Sequence, residues 1–134
     1  MVKSFNTYAF NKNNETLIKI KKQNNIKFME HITKIQERVI KLIKDKSNND
    51  EINYESFLDS SEITLRLAKY HTIATKNKKE EFFKIDNKLD LTKIIPVHGI
   101  LNFIMYPIIQ FKQDKYEIVY IVTHIGITYD DYMQ

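Results

Sequence analysis

Five basic or titratable side chains, Lys27, His31, Lys34, Arg38 and Lys41, follow one another at intervals of four, three, four and three residues. On a helix, at about 100° and about 1.5 Å per residue, that spacing holds all five within about 80° of one another along a ridge about 20 Å long. Such a ridge can follow several phosphates of a nucleic acid or seat itself in an acidic groove on a protein. Lys19 and Lys21, with Phe5 and Tyr8 near them in the sequence, add the combination of cation and ring that suits stacked bases. Without a partner, the same residues are a solvated helix face in a lysine-rich chain.

Chemistry beyond binding finds little support in residue types and spacings. His31, His71, His98 and His124 form neither HxH nor HExxH, and the absence of cysteine removes thiolate ligands and disulfides together. Gly99 and Gly126 are the only glycines, so the sequence contains no glycine-rich phosphate loop. No GxSxG elbow presents a nucleophilic serine. Neither a metal nor a cofactor is expected.

Two short stretches resemble ribonuclease motifs. RLAKYH sets Arg66 and His71 in an R-x4-H spacing that resembles the short motif of HEPN ribonucleases. This likeness covers six residues and implies an all-helical fold; it departs from the family at Leu67, where a polar residue is usual. EIVYIVTH followed by TYDDY, within residues 117–132, is similar to the final strand and tail of the HigB branch of RelE-type toxins, small ribonucleases that cut messenger RNA on the ribosome. That similarity implies His124 and Tyr129 as site residues, with a histidine as general acid or base. It departs from the family in the residues inserted between His124 and Tyr129, in having only two arginines, and in an additional N-terminal hairpin. The other reading of this end is a terminal core strand with a polar tail carrying Asp130 and Asp131.

The elements that must position these side chains are outlined by hydrophobic periodicity. KSFNTYAF (3–10) and ETLIKIKK (15–22), joined by NKNN, predict a hairpin with Ile18 and Ile20 toward the core and Leu17, Lys19 and Lys21 on the other face. Phe28, Ile32, Ile35, Val39, Leu42 and Ile43 predict a helix over 26–46, with Asn24 or Asn25 capping its first turn and a stop at residues 47–50. Residues 59–75 fit two templates, a helix through Ile63, Leu67, Tyr70 and Ala74 or a strand through Ile63, Leu65, Leu67 and Ile73. β-branched content and the following KNKKE and FFKID favour a second hairpin. ILNFIMYPIIQF (100–111) and YEIVYIVTHIGIT (116–128) predict a third, in which Pro107 demands an edge or a bulge. The expected fold is a single α+β domain over 1–134. Its mostly antiparallel sheet, built from hairpins in the order ββ-α-ββ-ββ, packs on one long amphipathic helix. Phe28, Ile32, Ile35, Val39 and Ile43 should meet Ile18, Ile20, Val119 and Ile121.

Composition agrees with a folded chain, since 43% of the 134 residues are hydrophobic and 28% charged at a mean hydropathy of -0.44. The apolar-rich run at 94–109 is too short for a membrane helix and is read as buried β-structure. MVKSFNTYAF does not resemble a signal peptide, so the expected compartment is cytoplasmic and no membrane partner is expected. Ile, Lys and Asn supply 52 residues, and 19 Lys stand against 2 Arg, as A/T-rich codons would give. Position therefore says more than the pI of about 9.1. Residues 1–50 hold 11 Lys or Arg against 5 Asp or Glu, a net of +6, whereas residues 51–134 net -2. Codon bias alone does not produce that asymmetry. The expected function is a small non-enzymatic binding protein, of the inhibitor or adaptor kind found on phage and other mobile elements. Lys19, Lys21, Lys27, His31, Lys34, Arg38 and Lys41 would meet nucleic acid or a nucleic-acid-binding protein, with a homodimer as a further option. The alternative is a toxin-type ribonuclease using His71 or His124.

Overall fold

A computed structural model describes residues 2–5, 7–23, 25–47, 54–55, 61–112 and 115–130. Its elements run β1 (Val2–Lys3), β2 (Thr7–Lys12), β3 (Glu15–Lys21), α1 (Ile26–Ser47), β4 (Tyr54–Glu55), β5 (Glu62–Asn77), β6 (Lys84–Ile85), α2 (Leu91–Ile94), β7 (Gly99–Lys112) and β8 (Lys115–Tyr129). The strands form one sheet in the order β1-β7-β8-β5-β3-β2, with β4 beside β8 and β6 beside β5.

Two of the expected hairpins form. β2 and β3 pair antiparallel from Thr7↔Ile20 to Lys12↔Glu15, closed by Asn13 and Asn14 at φ 53° and 63°. Asparagine tolerates that left-handed region, which a two-residue turn between twisted strands requires. β7 and β8 pair antiparallel from Gly99↔Tyr129 to Lys112↔Lys115.

The expected fold class is corrected by what lies between them. The described residues are mostly strand, 55% against 23% helix, and the curled sheet mixes parallel with antiparallel pairs instead of joining antiparallel hairpins throughout. Residues 62–77 form one long strand, antiparallel to β3 and parallel to β8. Its expected hairpin partner shrinks to Lys84 and Ile85, which pair with Thr75 and Ala74. β5 has apolar side chains for the core face and neighbours on both edges, so it serves as an interior strand. Residues 48–53 and 56–60, including most of the expected helix stop, lie outside the described residues.

α1 follows the predicted period. Phe28, Ile32, Val39 and Ile43 are buried and Ile35 half-buried against Ile18, Ile20, Ile63, Leu65, Leu67, Ile118, Tyr120 and Val122. Each fully buried side chain of this size contributes about 1.5–3 kcal/mol, which is why a helix with a mixed surface holds its place. Leu42, expected in the same stripe, is 57% exposed because it lies at the stripe's margin. Asn25 does not cap the helix amides with its side chain. Its Oδ1 accepts from the Lys3 amide and its Nδ2 donates to the Lys21 carbonyl, tying the helix entrance to β1 and β3.

A bulge corrects the expected core in β8. Ile104 pairs with His124 but Met105 with Val122, so Thr123 is an extra residue, and its hydroxyl donates to the Ile104 carbonyl at 3.2 Å. Before it Ile118, Tyr120 and Val122 face α1; after it Ile125 and Ile127 do. Val119 and Ile121 are buried on the opposite face, away from the helix. The run at 94–109 is strand from Gly99 onward, yet Ile104, Tyr106 and Ile109 are exposed rather than buried. β1 reaches only Leu101 and Ile100, so Pro107 sits where β7 has no second neighbour among the described residues.

Candidate functional site

The buried stripe of α1 turns the five basic or titratable residues outward. Lys27, His31, Lys34, Arg38 and Lys41 are all exposed. Lys27 and His31 border grooves shared with β1 and β7, His31 next to Phe103, Ile104 and Met105. Exposed Glu30 and Glu37 border the other flank, beside Lys22 and Thr33. The ridge thus runs along the helix with two carboxylates bordering this flank.

Lys19 and Lys21 do not join it. Alternation along β3 sends Ile18 and Ile20 into the core under α1 and the two lysines to the opposite face of the sheet. There the Lys19 ammonium stands 5.6 Å from the Phe10 ring centre, and the Phe10 and Tyr8 rings are 5.9 Å apart. Phe5 is paired elsewhere, its ring 6.4 Å from that of His98 and nearly parallel to it. The seven expected contact residues therefore divide into a helix ridge of five and a strand pair on the far face.

The terminal strand separates the residues that the toxin likeness brings forward. His124 is exposed on the face away from α1, its Nδ1 2.9 Å from the Thr123 hydroxyl. Tyr129 packs against the core and donates from its hydroxyl to the Ile94 carbonyl at 3.0 Å. Burial raises the Tyr129 pKa, which keeps the phenol in its neutral, donating form. One strand thus presents the two on opposite faces, without a shared reacting atom. Asp131 lies outside the described residues.

Arg66 and His71, in contrast, line one open cleft of about 560 Å³. Arg66 lies beside Leu17 and Ile121, and Ile121 beside Tyr106, so these residues form a row across β3, β5, β8 and β7. The row ends at an irregularity in β5, where pairing passes from Leu67↔Val122 to Thr72↔His124. Residues 68–71 therefore oppose only Thr123. The His71 Nδ1 lies 2.7 Å from the Ala68 carbonyl. The Arg66 Nε stands 3.4 Å from Glu15 Oε2. Tyr106 and Glu15 were not legible as members of a site, because only cross-strand register brings them to Arg66 and His71, whereas Lys69 lies between those two in the same strand.

Among the described residues no group of three His, Asp or Glu side chains is placed to hold a metal ion. No helix there is long and apolar enough to cross a membrane. No protein-family model, curated protein or solved structure matches the chain.

Proposed function

We propose that this chain is a non-enzymatic nucleic-acid-binding protein, of the small inhibitor or adaptor type carried by mobile elements, that uses the outer face of α1. One observation carries the reading. All five ridge residues are exposed in a row on a helix whose other side is buried. Lysine and arginine spaced along about 20 Å can each neutralise a phosphate of a backbone lying against them. The +6 net charge of residues 1–50 favours that encounter from a distance.

Recovery of the tagged protein from cells, with half of each sample treated with nuclease, tests it. Nucleic acid should co-purify with the wild type and be lost on nuclease treatment. A protein partner retained after nuclease would replace this reading with docking on an acidic protein surface.

A further inference from the structure

We infer that the cleft at the β5 irregularity binds a nucleoside monophosphate, a ligand that joins a phosphate to a flat ring through a hydroxylated sugar. The site lies on the face of the sheet opposite α1 and does not depend on the basic ridge.

The anionic end has a place at Arg66. Its Nε stands 3.4 Å from Glu15 Oε2 and is buried without a hydrogen-bond partner, so the ion pair leaves donor capacity of the guanidinium unused. A guanidinium presents parallel donors that match phosphate oxygens. Lys69 adds a second cation from the same wall. With Glu15 opposing these two, the cleft keeps one net positive charge when His71 is neutral, which favours an anion over an uncharged molecule.

The ring has a place beyond it. Ile121 forms an apolar floor between Arg66 and Tyr106. Two strand spacings separate those residues, about 10 Å, enough for a planar ring to lie on Ile121 and against the edge of Tyr106. Tyr106 is 47% exposed and lines the cleft, which leaves its hydroxyl accessible to a polar ring atom.

His71 supplies the middle contact. A carbonyl oxygen only accepts, so the bond to Ala68 requires the proton on Nδ1 and leaves Nε2 as the open ring nitrogen. In the neutral ring Nε2 accepts from a sugar hydroxyl; in the charged ring it donates to an oxygen. Interrupting the ladder of an interior strand sacrifices backbone pairing, and such irregularities re-aim side chains beside binding sites. The volume falls within the range of about 300–1,000 Å³ usual for small-molecule pockets.

Isothermal titration calorimetry with adenosine monophosphate, uridine monophosphate, adenosine and inorganic phosphate tests the inference. A nucleoside monophosphate should bind saturably, with Kd in the micromolar to millimolar range. Adenosine and phosphate should each bind about tenfold or more weakly, because each lacks one half of the contacts. Arg66→Gln should raise Kd about ten- to a hundredfold by removing the charge-assisted pair. Tyr106→Phe should raise it a few-fold, and amide NMR shifts on titration should centre on residues 66–71. Should Arg66→Gln fail to fold, Tyr106→Ala at an exposed position carries the same test. Absence of saturable binding by either nucleotide would overturn the inference. So would equal affinity for inorganic phosphate, or wild-type affinity in the variants.

Discussion

The Tyr129 hydroxyl donates to the carbonyl oxygen of Ile94 at 3.0 Å, joining the end of β8 to the end of α2. This bond gives Tyr129 a structural role in a segment whose sequence also resembles a ribonuclease tail. Tyr129→Phe should cost about 0.5–1.5 kcal/mol in denaturant unfolding and leave nucleic-acid affinity unchanged. Lost affinity at unchanged stability would place Tyr129 in the binding machinery instead.

Tyr120 is fully buried beneath α1, its hydroxyl 3.5 Å from the Ile32 carbonyl, and burial pushes its pKa up to about 12. An exposed tyrosine titrates near about 10, so the folded state holds this proton more tightly than the unfolded chain does. The resulting stability is complete below about pH 10 and is lost as pH rises through about 12. Urea midpoints followed across that window should fall for the wild type. The fall should be shallower for Tyr120→Phe, and equal slopes would contradict the assignment.

Ile32 and Leu42 separate the two sides of α1 experimentally. Ile32 is fully buried, so Ile32→Asp should unfold the protein, since an unpaired buried carboxylate costs several kcal/mol against a total of about 5–15. Leu42→Gln, at a position 57% exposed, should change stability by less than about 0.5 kcal/mol. Circular dichroism melts decide both; a native Tm for Ile32→Asp would reject this core.

α1 was legible because Phe28, Ile32, Val39 and Ile43 repeat at helical spacing while Lys34, Arg38 and Lys41 repeat out of phase with them. The hairpin at Asn13 and Asn14 was legible from its turn chemistry. β8 was legible as a strand, but which of its residues face α1 was not, since Ile118 to Val122 are apolar at both parities and the extra residue at Thr123 shifts the facing pattern without any mark in composition. The parallel pairing of β5 with β8 joins segments about fifty residues apart, and nothing local encodes it. The cleft depends on that same pairing. RLAKYH shows Arg66 and His71, but Glu15 and Tyr106 reach them only through register across the sheet.

His124 should be dispensable. Its ring is exposed and bonded to the neighbouring Thr123, and Tyr129 faces the other way. His124→Ala should therefore keep wild-type stability within about 0.5 kcal/mol and wild-type nucleic-acid affinity. If expression of the wild type is toxic to cells and His124→Ala relieves that toxicity, a catalytic role for His124 replaces this view.

The most direct measurement is the salt dependence of nucleic-acid affinity for the wild type and for Lys34→Gln, Arg38→Gln and Lys41→Gln combined. All three side chains are exposed on α1, and glutamine is a good helix former, so the variant should fold with nearly unchanged stability. Fluorescence anisotropy over a range of salt concentrations should show weaker binding to every sequence tested. The slope of log K against log salt should flatten by roughly 0.7–0.9 for each phosphate contact removed, roughly 2 to 3 for all three. A folded triple variant that keeps the wild-type affinity and slope would show that the ridge is a solvated helix face and contradict the proposed function.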